Sequence, residues 1–269
     1  MSAVSRTIPV RPFLQALLVC ALLLVVSPIR AECPSSGAVR ETLAALDLDL
    51  ASRATRFEAP TPEILFRKAI DKPGRPAVSR DGKQVQGALL IDRPLESLWK
   101  AINDEDHHAL NGYMPVRYSE VVEGQPRGES RVVFQYFKQW GIGRWWLSHV
   151  EINAELFRKS KGSMWELYWE DVMEQADPTA EPISSVSSDI RPLVATRGAW
   201  LFVPLGSSCT FVEFYSWSDP GGALSVAQAL IAKRTVRDTL NGVVRMAQEH
   251  IGEPHPDARF VGADGKPLD

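Results

Sequence analysis

The sequence WSDPGG at residues 217–222 sets the architecture of this chain, because a long run without proline follows it as far as Gly252. The Asp219 carboxylate can accept hydrogen bonds from the first free amides of a helix. Pro220 suits the first helical position, where its missing N–H has no intrahelical partner. The stretch therefore predicts a long C-terminal helix that ends near Ile251.

Apolar residues recur at spacings of three and four along this helix and form one stripe, made of Ala229, Ala232, Val236, Leu240, Val243 and Ala247. Half of the stripe is alanine, so the side chains of this face leave room beside the helix. Two arrangements explain the pattern. The helix either packs closely on a sheet, or it leaves a space that a ligand fills.

The N-terminus has the three parts of a secretory signal peptide. Arg6 and Arg11 come before an apolar run at residues 13–26, and Ala31 supplies a small residue at a cleavage point. The apolar run is short for a membrane span. We therefore predict that residues 1–31 are removed and that the protein is exported, to the periplasm or as a secreted product. A retained N-terminal anchor is the alternative.

Charge argues against two classes of partner. The full chain has 30 basic and 33 acidic residues. Arg6, Arg11 and Arg30 leave with the signal, so 27 basic and 33 acidic residues remain, a balance of −6. Nucleic acids and anionic membrane surfaces both bind basic faces. We expect no nucleic acid partner, and we expect membrane contact to be transient.

Two cysteines, Cys33 and Cys209, remain after removal of the signal. In an oxidising compartment a disulfide between them would tie the mature N-terminus to the sheet. Two free thiols are the alternative, because the sequence does not give the separation of the two residues.

Residues 32–82 are predicted as an N-terminal helix followed by a proline-rich extension. The helix falls within residues 34–56 and should pack outside the main domain through Val39, Leu43, Leu46 and Leu50. Within the extension, residues 64–70 are predicted as an edge strand.

From Val85 onward the pattern is typical of a sheet. Residues 85–91 alternate along a strand, and Asp92 is a candidate N-cap for a short helix. Further strands are predicted at about 116–123, 130–138, 145–157, 163–171, 191–203 and 210–217. Their short connections favour antiparallel order. Residues 172–189 are rich in Pro, Ser, Asp and Glu and are predicted as a polar loop.

Alternation assigns the two faces of the strand at 145–157. One face carries Trp146, Ser148 and Val150, and the other, predicted to be largely solvated, carries Trp145, His149 and Glu151. The sequence as a whole predicts an α+β fold, in which the C-terminal helix covers one face of a curved antiparallel sheet.

The polar residues do not form a recognisable catalytic or metal-binding motif. Residues 104–108, DEDHH, have a metal-like composition, but adjacent histidines project in different directions on a helix, so the run is predicted as a solvated turn. Glu166 and Glu213 fall within strands, where a buried carboxylate can act as a base. An outward position or a satisfied ion pair explains them equally well. We predict no catalytic residue, no metal and no cofactor.

The order of elements is a strand, two short helices, six strands and a long C-terminal helix. It resembles the START-like (SRPBCC) superfamily, which has the helix-grip fold of Bet v 1 relatives, and is closest to START lipid-binding domains. The resemblance is carried by LLIDRP at 89–94, WGIG at 140–143, GAW at 198–200 and, most specifically, FYSWSDPGG at 214–222. It covers residues 83–251, which form the START-like domain. Residues 252–269 are left as a flexible tail.

The resemblance implies a cavity between the sheet and the C-terminal helix that holds a lipid, a sterol-like molecule or an isoprenoid. The candidate ligand-binding residues are Trp146, Ser148, Val150, Trp165, Leu167, Trp200, Phe202, Ala232, Val236, Leu240 and Val243. The predicted function is that of an exported soluble carrier.

Two other functions stay open at this point. One is a cyclase or dehydratase that acts on an aromatic or polyketide substrate. The other is a ligand-free interaction module that uses Trp140 and Trp145 at a sheet edge. The oligomeric state is not given by the sequence.

Overall fold

The computed structural model describes residues 33–46, 55–56, 61–139, 141–186, 190–221, 226–249 and 259–268. The predicted signal peptide lies outside the described residues, as do Trp140 and the segment that joins Gly221 to the C-terminal helix. Within the described ranges, no helix has both the length and the apolar character needed to cross a bilayer.

Five α-helices fall within the described residues: α1 Ser36–Ala45, α2 Glu63–Asp71, α3 Leu95–Ile102, α4 Ala154–Lys159 and α5 Val226–Glu249. Short 3₁₀ turns lie at Glu105–His107, Leu110–Gly112, Met173–Gln175 and Ile183–Ser185. The long C-terminal helix is thus confirmed as α5. Before it, Asp219 Oδ1 accepts a hydrogen bond from the Gly221 amide at 3.0 Å, which bends the chain at the predicted turn.

Nine strands form one sheet in the part of the chain that the structure describes: β1 Ala77–Asp81, β2 Gln84–Ile91, β3 Tyr118–Gly124, β4 Ser130–Gln139, β5 Ile142–Ile152, β6 Trp165–Asp171, β7 Arg191–Pro192, β8 Ala195–Pro204 and β9 Thr210–Asp219. Their order is β1-β2-β9-β8-β6-β5-β4-β3, and neighbours along it are antiparallel. The two-residue β7 pairs in parallel with β5. The predicted α+β helix-grip architecture is confirmed.

The inner face of the sheet packs against α3 and α5 and forms the main core. Leu89, Val212 and Phe202 contribute to it from neighbouring strands. Gly87 brings β2 close to α5, because a Cβ placed there would lie 2.7 Å from Leu240 Cδ1. One of the two long faces of the sheet is therefore dedicated to the C-terminal helix, as predicted.

The outer face carries a second hydrophobic core. Phe211, Tyr215 and Leu201 are buried there beneath α1 and α2, and Phe66 of α2 stacks on Phe211 with ring centroids 5.1 Å apart. The Cys33–Cys209 disulfide joins the start of the described chain to this layer. The helix predicted within residues 34–56 thus packs outside the sheet, although only α1 of it is described.

A third cluster lies on the outer face of β4 and β5. Phe134 and Leu147 are buried in it, and Trp145 packs on Phe134 with ring centroids 6.0 Å apart. Ile183 and Val186 of the loop that follows β6 cover these side chains. The face predicted to be largely solvated is therefore partly apolar, because the polar loop carries a few apolar residues that close over it.

Several local predictions are wrong. Asp219 and Pro220 do not begin α5, since Asp219 ends β9 and the described helix begins at Val226. Residues 64–70 form α2 rather than an edge strand, because Leu65 and Ala69 repeat at helical spacing and both are buried. Asp92 does not cap α3, since Pro94 occupies the cap position and no side chain bonds there. The strand predicted at 145–157 ends at Ile152, where Asn153 caps α4 by accepting a hydrogen bond from the Leu156 amide.

Residues 259–268 pack against the domain, in contrast to the flexible tail expected for 252–269. The Trp99 indole donates to the Val261 carbonyl oxygen at 2.8 Å, and the Val261 amide donates to the Arg127 carbonyl oxygen at 3.2 Å. Ala263 is fully buried. Sequence inspection missed this packing because its partners lie far away along the chain.

Candidate functional site

A cavity of about 310 Å³ lies between the inner face of the sheet and the first half of α5. Its wall on α5 includes Ile231, Ala232, Thr235, Val236 and Thr239. Most of the wall is apolar, and it includes five aromatic side chains from the sheet: Phe137, Trp146, Trp169, Trp200 and Phe214. A concave, mostly apolar space with a few polar groups is the usual form of a small-molecule site.

Seven of the candidate ligand-binding residues lie on the cavity wall: Trp146, Ser148, Val150, Leu167, Trp200, Ala232 and Val236. Those from the sheet share its inner face, as the period of two in strands requires. Their role in binding stays a prediction, but the structure does bring them together around one space.

The other four candidates lie in the core beyond the cavity. Trp165 and Phe202 pack edge-on against Trp99, with ring centroids 5.2 and 6.0 Å away. Leu240 and Val243 are 1% and 2% exposed within the packed core. These four residues therefore support the fold and do not line the cavity.

Two glycines, one on β2 and one on α5 itself, let the second half of α5 pack closely on the domain. Gly87 lets Leu240 approach β2, and Gly242 lets the Tyr113 carbonyl oxygen approach the helix, since a Cβ on Gly242 would lie 2.2 Å from that oxygen. The second half of α5 is thus in close contact with the domain, and the cavity lies beside the first half. Both arrangements that the sequence allowed are therefore present on one helix: α5 packs closely on the sheet in its second half and borders a cavity in its first half.

One end of the cavity carries neutral polar groups. His108, Gln135 and Ser148 lie on its wall. The Gln135 amide nitrogen donates to Ser119 Oγ at 2.9 Å, whereas Ser148 Oγ is buried without a hydrogen-bond partner among the described residues. A buried hydroxyl without a partner is unfavourable, so Ser148 is suited to bind a polar atom of a ligand.

His108 is a neutral imidazole in this wall. Its Nε2 lies 3.2 Å from the Ala101 carbonyl oxygen, which can only accept, so that nitrogen carries the proton. Its Nδ1 then accepts from the Gln135 amide nitrogen at 3.4 Å. Burial lowers the pKa of His108 below its usual value, although the nearby Glu105 and Asp104 carboxylates oppose this.

The run at 104–108 is a buried ion-pair network, which corrects the prediction of a solvated turn. Glu105 is paired with Arg131, whose Nη2 also donates to Asn103 Oδ1 at 2.8 Å. Asp104 accepts two hydrogen bonds from Arg127, at 2.9 and 2.7 Å. Arg127 comes from the connection into β4 and Arg131 from β4 itself, so the composition of the run gave no sign of its burial.

The opposite end of the cavity is basic. Arg80 near the end of β1, Lys83 on the turn that follows it and Arg144 near the start of β5 lie on its wall. Lys83 is paired with Asp219 and lies over the Trp217 ring at 5.6 Å. The cavity thus runs from a cationic end, past aromatic side chains, to a neutral polar end.

Glu166 and Glu213 lie on the outer face of the sheet, away from the cavity, since both are in register with the outward-facing Leu201. Glu166 accepts hydrogen bonds from the Arg56 amide and from the Thr55 and Asn153 side chains. Burial raises the pKa of Glu166 to about 7, against the effect of these donors. Neither carboxylate is placed to act on a ligand in the cavity.

Glu166 should make stability depend on pH. Because its pKa is raised in the folded state to about 7 from 4.5, its contribution to stability is fully present below pH 4.5 and is lost as the pH rises through 7. The free energy of unfolding of the wild type should fall between pH 5 and pH 8. In Glu166→Gln we expect this fall to be smaller by a few kcal/mol. Urea unfolding at both pH values measures this. The exposed Glu170→Gln is the control, and an equal pH dependence in wild type and Glu166→Gln would contradict the assignment.

Sequence inspection missed most of the wall, including His108, Gln135, Trp169 and Phe214. Trp169 and Phe214 share a face with the predicted Leu167 and Trp200, so extending the same alternation along each strand would have found them. No pattern in the sequence marks His108 or Gln135. Among the described residues, no cluster of acidic, histidine and cysteine side chains could hold a metal ion.

Several solved structures have a similar arrangement of strands and helices. A STAR-related lipid transfer protein from Xanthomonas axonopodis is 15% identical over 65% of this chain and 97% of its own, with a TM-score of 0.46. The Zhui aromatase/cyclase from a Streptomyces species is 16% identical over 63% of this chain and 96% of its own, with a TM-score of 0.45. The human StAR-related lipid transfer protein 5 is 13% identical over 81% and 100%, with a TM-score of 0.47.

At these identities and scores the likeness concerns the architecture and says nothing of a ligand. No protein-family model matches the chain, and no curated protein sequence does so either.

Proposed function

We propose that this protein is a carrier that holds a lipid, a sterol-like molecule or an isoprenoid in the cavity between the sheet and α5, and that it works outside the cytoplasm. The observation that carries the proposal is the cavity itself: about 310 Å³ of space with a wall of aromatic and aliphatic side chains. This volume is at the lower end of the usual range for ligand sites, so one chain or one small ring system fits.

A carrier explains why such a space is kept in a folded core. Transfer of an apolar chain from water into an apolar site is favourable by about 0.8 kcal/mol for each methylene, so the cavity would shield a molecule that water does not dissolve. Ser148 then supplies a hydrogen bond to one polar atom of the ligand, because its hydroxyl lacks a partner in the part of the chain that the structure describes.

The Cys33–Cys209 disulfide supports a location outside the cytoplasm. Disulfides persist in oxidising compartments and are rare where glutathione and thioredoxin keep thiols reduced. The basic and apolar parts of residues 1–31 support the same location. Membrane contact, on this proposal, is limited to loading and release of the ligand.

The position of the charged groups favours a carrier over an enzyme. Glu166 and Glu213 lie on the outer face, and the Glu105 side chain at the cavity is bound by Arg131. The interaction module is less well supported. Trp145, one of the two tryptophans that would form its binding surface, packs instead on Phe134 beneath the loop that follows β6.

A cyclase or dehydratase acting on an aromatic or polyketide substrate is the second candidate. One observation favours it: His108 presents a neutral imidazole at the cavity wall, and a neutral imidazole with a free lone pair can act as a general base. In this structure, however, Nδ1 already accepts from Gln135 and Nε2 donates to Ala101.

Extraction of the natively purified, exported protein with organic solvent tests the proposal. We expect mass spectrometry to find one apolar compound in near-stoichiometric amount, and the intact mass to lack residues 1–31. Protein passed through the same steps after a wash with a competing detergent is the control. An empty cavity in freshly isolated protein, with no uptake from a total lipid extract, would contradict the carrier. Conversion of an added aromatic polyketide would favour the enzyme.

A further inference from the structure

We infer that the ligand is an amphiphile with one anionic group, a carboxylate or a phosphate, which lies at the basic end of the cavity beside Arg80 and Arg144. The inference rests on the proposed function and names the class of ligand for the same cavity. It starts from the charges on the wall. Four charged residues lie there: Arg80, Lys83, Glu105 and Arg144.

Two of these four charges are already neutralised within the protein. Glu105 is bound by Arg131, and Lys83 is bound by Asp219. Neither Arg80 nor Arg144 is paired with a carboxylate among the residues that the structure describes. The wall therefore carries two positive charges for which the described part of the protein supplies no counter-charge.

Arg144 uses only some of its hydrogen-bond donors within the described part of the protein. Its Nη1 donates to the Gly143 carbonyl oxygen at 2.7 Å, and its Nε is buried without a hydrogen-bond partner in the described chain. Arg191 lies beside it in the register of β7 on β5 and adds a further positive charge. A partly buried guanidinium with unused donors favours a carboxylate or phosphate, which can accept two of its hydrogen bonds at once.

The register of β4 and β5 shows how far this end lies from the neutral polar end. Arg144 is opposite Phe137, whereas Ser148 is opposite Val133. Four residues along a strand correspond to about 13 Å. Between the two ends the wall is aromatic, with Trp146 on the same strand. This order matches a molecule that has an anionic head, an apolar body and, at most, one neutral polar group at its far end.

Binding of three ligands with the same alkyl chain tests the inference: dodecanoate, dodecanol and dodecyltrimethylammonium, each as a monomer below its micelle concentration at pH 8. Displacement of Nile red, a neutral dye that is expected to enter the cavity, reports their affinities. We expect wild type to bind dodecanoate about tenfold more tightly than dodecanol, and the cation least tightly, because a hydrogen-bonded charge pair contributes on the order of that factor.

The variants are Arg80→Gln, Arg144→Gln and the double substitution. The double variant should lose the preference for dodecanoate and keep its affinity for dodecanol within about twofold, since the apolar contacts remain. Arg67→Gln removes a positive charge from the exposed side of α2 on the outer face and should change neither affinity. Equal binding of dodecanoate and dodecanol by wild type, or a preference that survives the double substitution, would overturn the inference.

Two further measurements separate other uses of these arginines. If inorganic phosphate alone displaces dodecanoate at comparable concentration, the arginines form a site for free anions and the inference is wrong. If the double variant loses only its sedimentation with phosphatidylglycerol vesicles and keeps its preference for dodecanoate, the arginines bind a membrane surface, which also overturns it. Failure of wild type to bind either Nile red or dodecanol would instead contradict the proposed carrier function.

Discussion

Ala232→Trp should abolish binding of Nile red and of any natural ligand while the protein stays folded. Ala232 lies on the cavity wall in the first half of α5 and is only half-buried. An indole at this position would extend into the space between the helix and the sheet. We expect the affinity to fall by about a hundredfold or more, since the ligand would have to displace several apolar contacts, and the melting temperature to change by only about 3 °C.

Ala247→Trp is the matched control on the same helix. Ala247 belongs to the same apolar stripe, but it is 5% exposed and lies in the packed half of α5. Overpacking there should destabilise the fold by about 3 kcal/mol. Thermal unfolding and dye binding of both variants measure the contrast. If Ala232→Trp unfolds the protein as severely as Ala247→Trp does, the first half of α5 is close-packed and the cavity is not a ligand site.

Loss of the Cys33–Cys209 disulfide should produce the largest fall in stability. The two cysteines are 176 residues apart in sequence, so the disulfide removes much of the conformational freedom of the unfolded chain. The loop-closure model gives about 5 kcal/mol for a loop of this size. Urea unfolding of Cys33→Ser/Cys209→Ala against the oxidised wild type measures the difference.

Ligand affinity should be nearly unchanged in this double variant, because the disulfide lies on the outer face and the cavity on the inner face. Reduced wild type serves as a second control, since it removes the bond without changing the packing of Cys209. Equal stability of the oxidised and reduced forms would show that the disulfide does not constrain the unfolded chain as proposed. A parallel loss of dye binding would show that the two faces are not independent.

Local rules predicted the sheet and some of the side chains that it contributes to the cavity wall. Alternation alone places Trp146, Ser148 and Val150 on one face, and the structure places all three on the cavity wall. The proline-free run after Pro220 likewise predicted α5, although Asp219 ends β9 and the described helix begins only at Val226. The successful predictions depend on the periodicity of a single strand or helix.

The other half of the cavity depends on contacts that no local pattern shows. Val236 and Leu240 occupy equivalent places in the stripe on α5, yet only Val236 lines the cavity, because Gly87 on a distant strand admits Leu240 into the core. The burial of Glu105 depends in the same way on Arg131, which lies 26 residues further along the chain. Residues 64–70 are too short a segment for periodicity to separate a strand from a helix.

The second hydrophobic core, on the outer face of the sheet, bears on how the proposed carrier releases its ligand. Phe211, Tyr215 and Leu201 bury apolar surface beneath α1 and α2, on the side of the sheet away from the cavity. Much of the driving force for folding is therefore independent of whether the cavity is filled. The empty and loaded forms should then differ little in fold, so delivery of the ligand does not require the protein to unfold. In the carrier that we propose, the sheet thus separates the outer core from an inner face on which the main core lies beside a cavity that can be emptied and refilled.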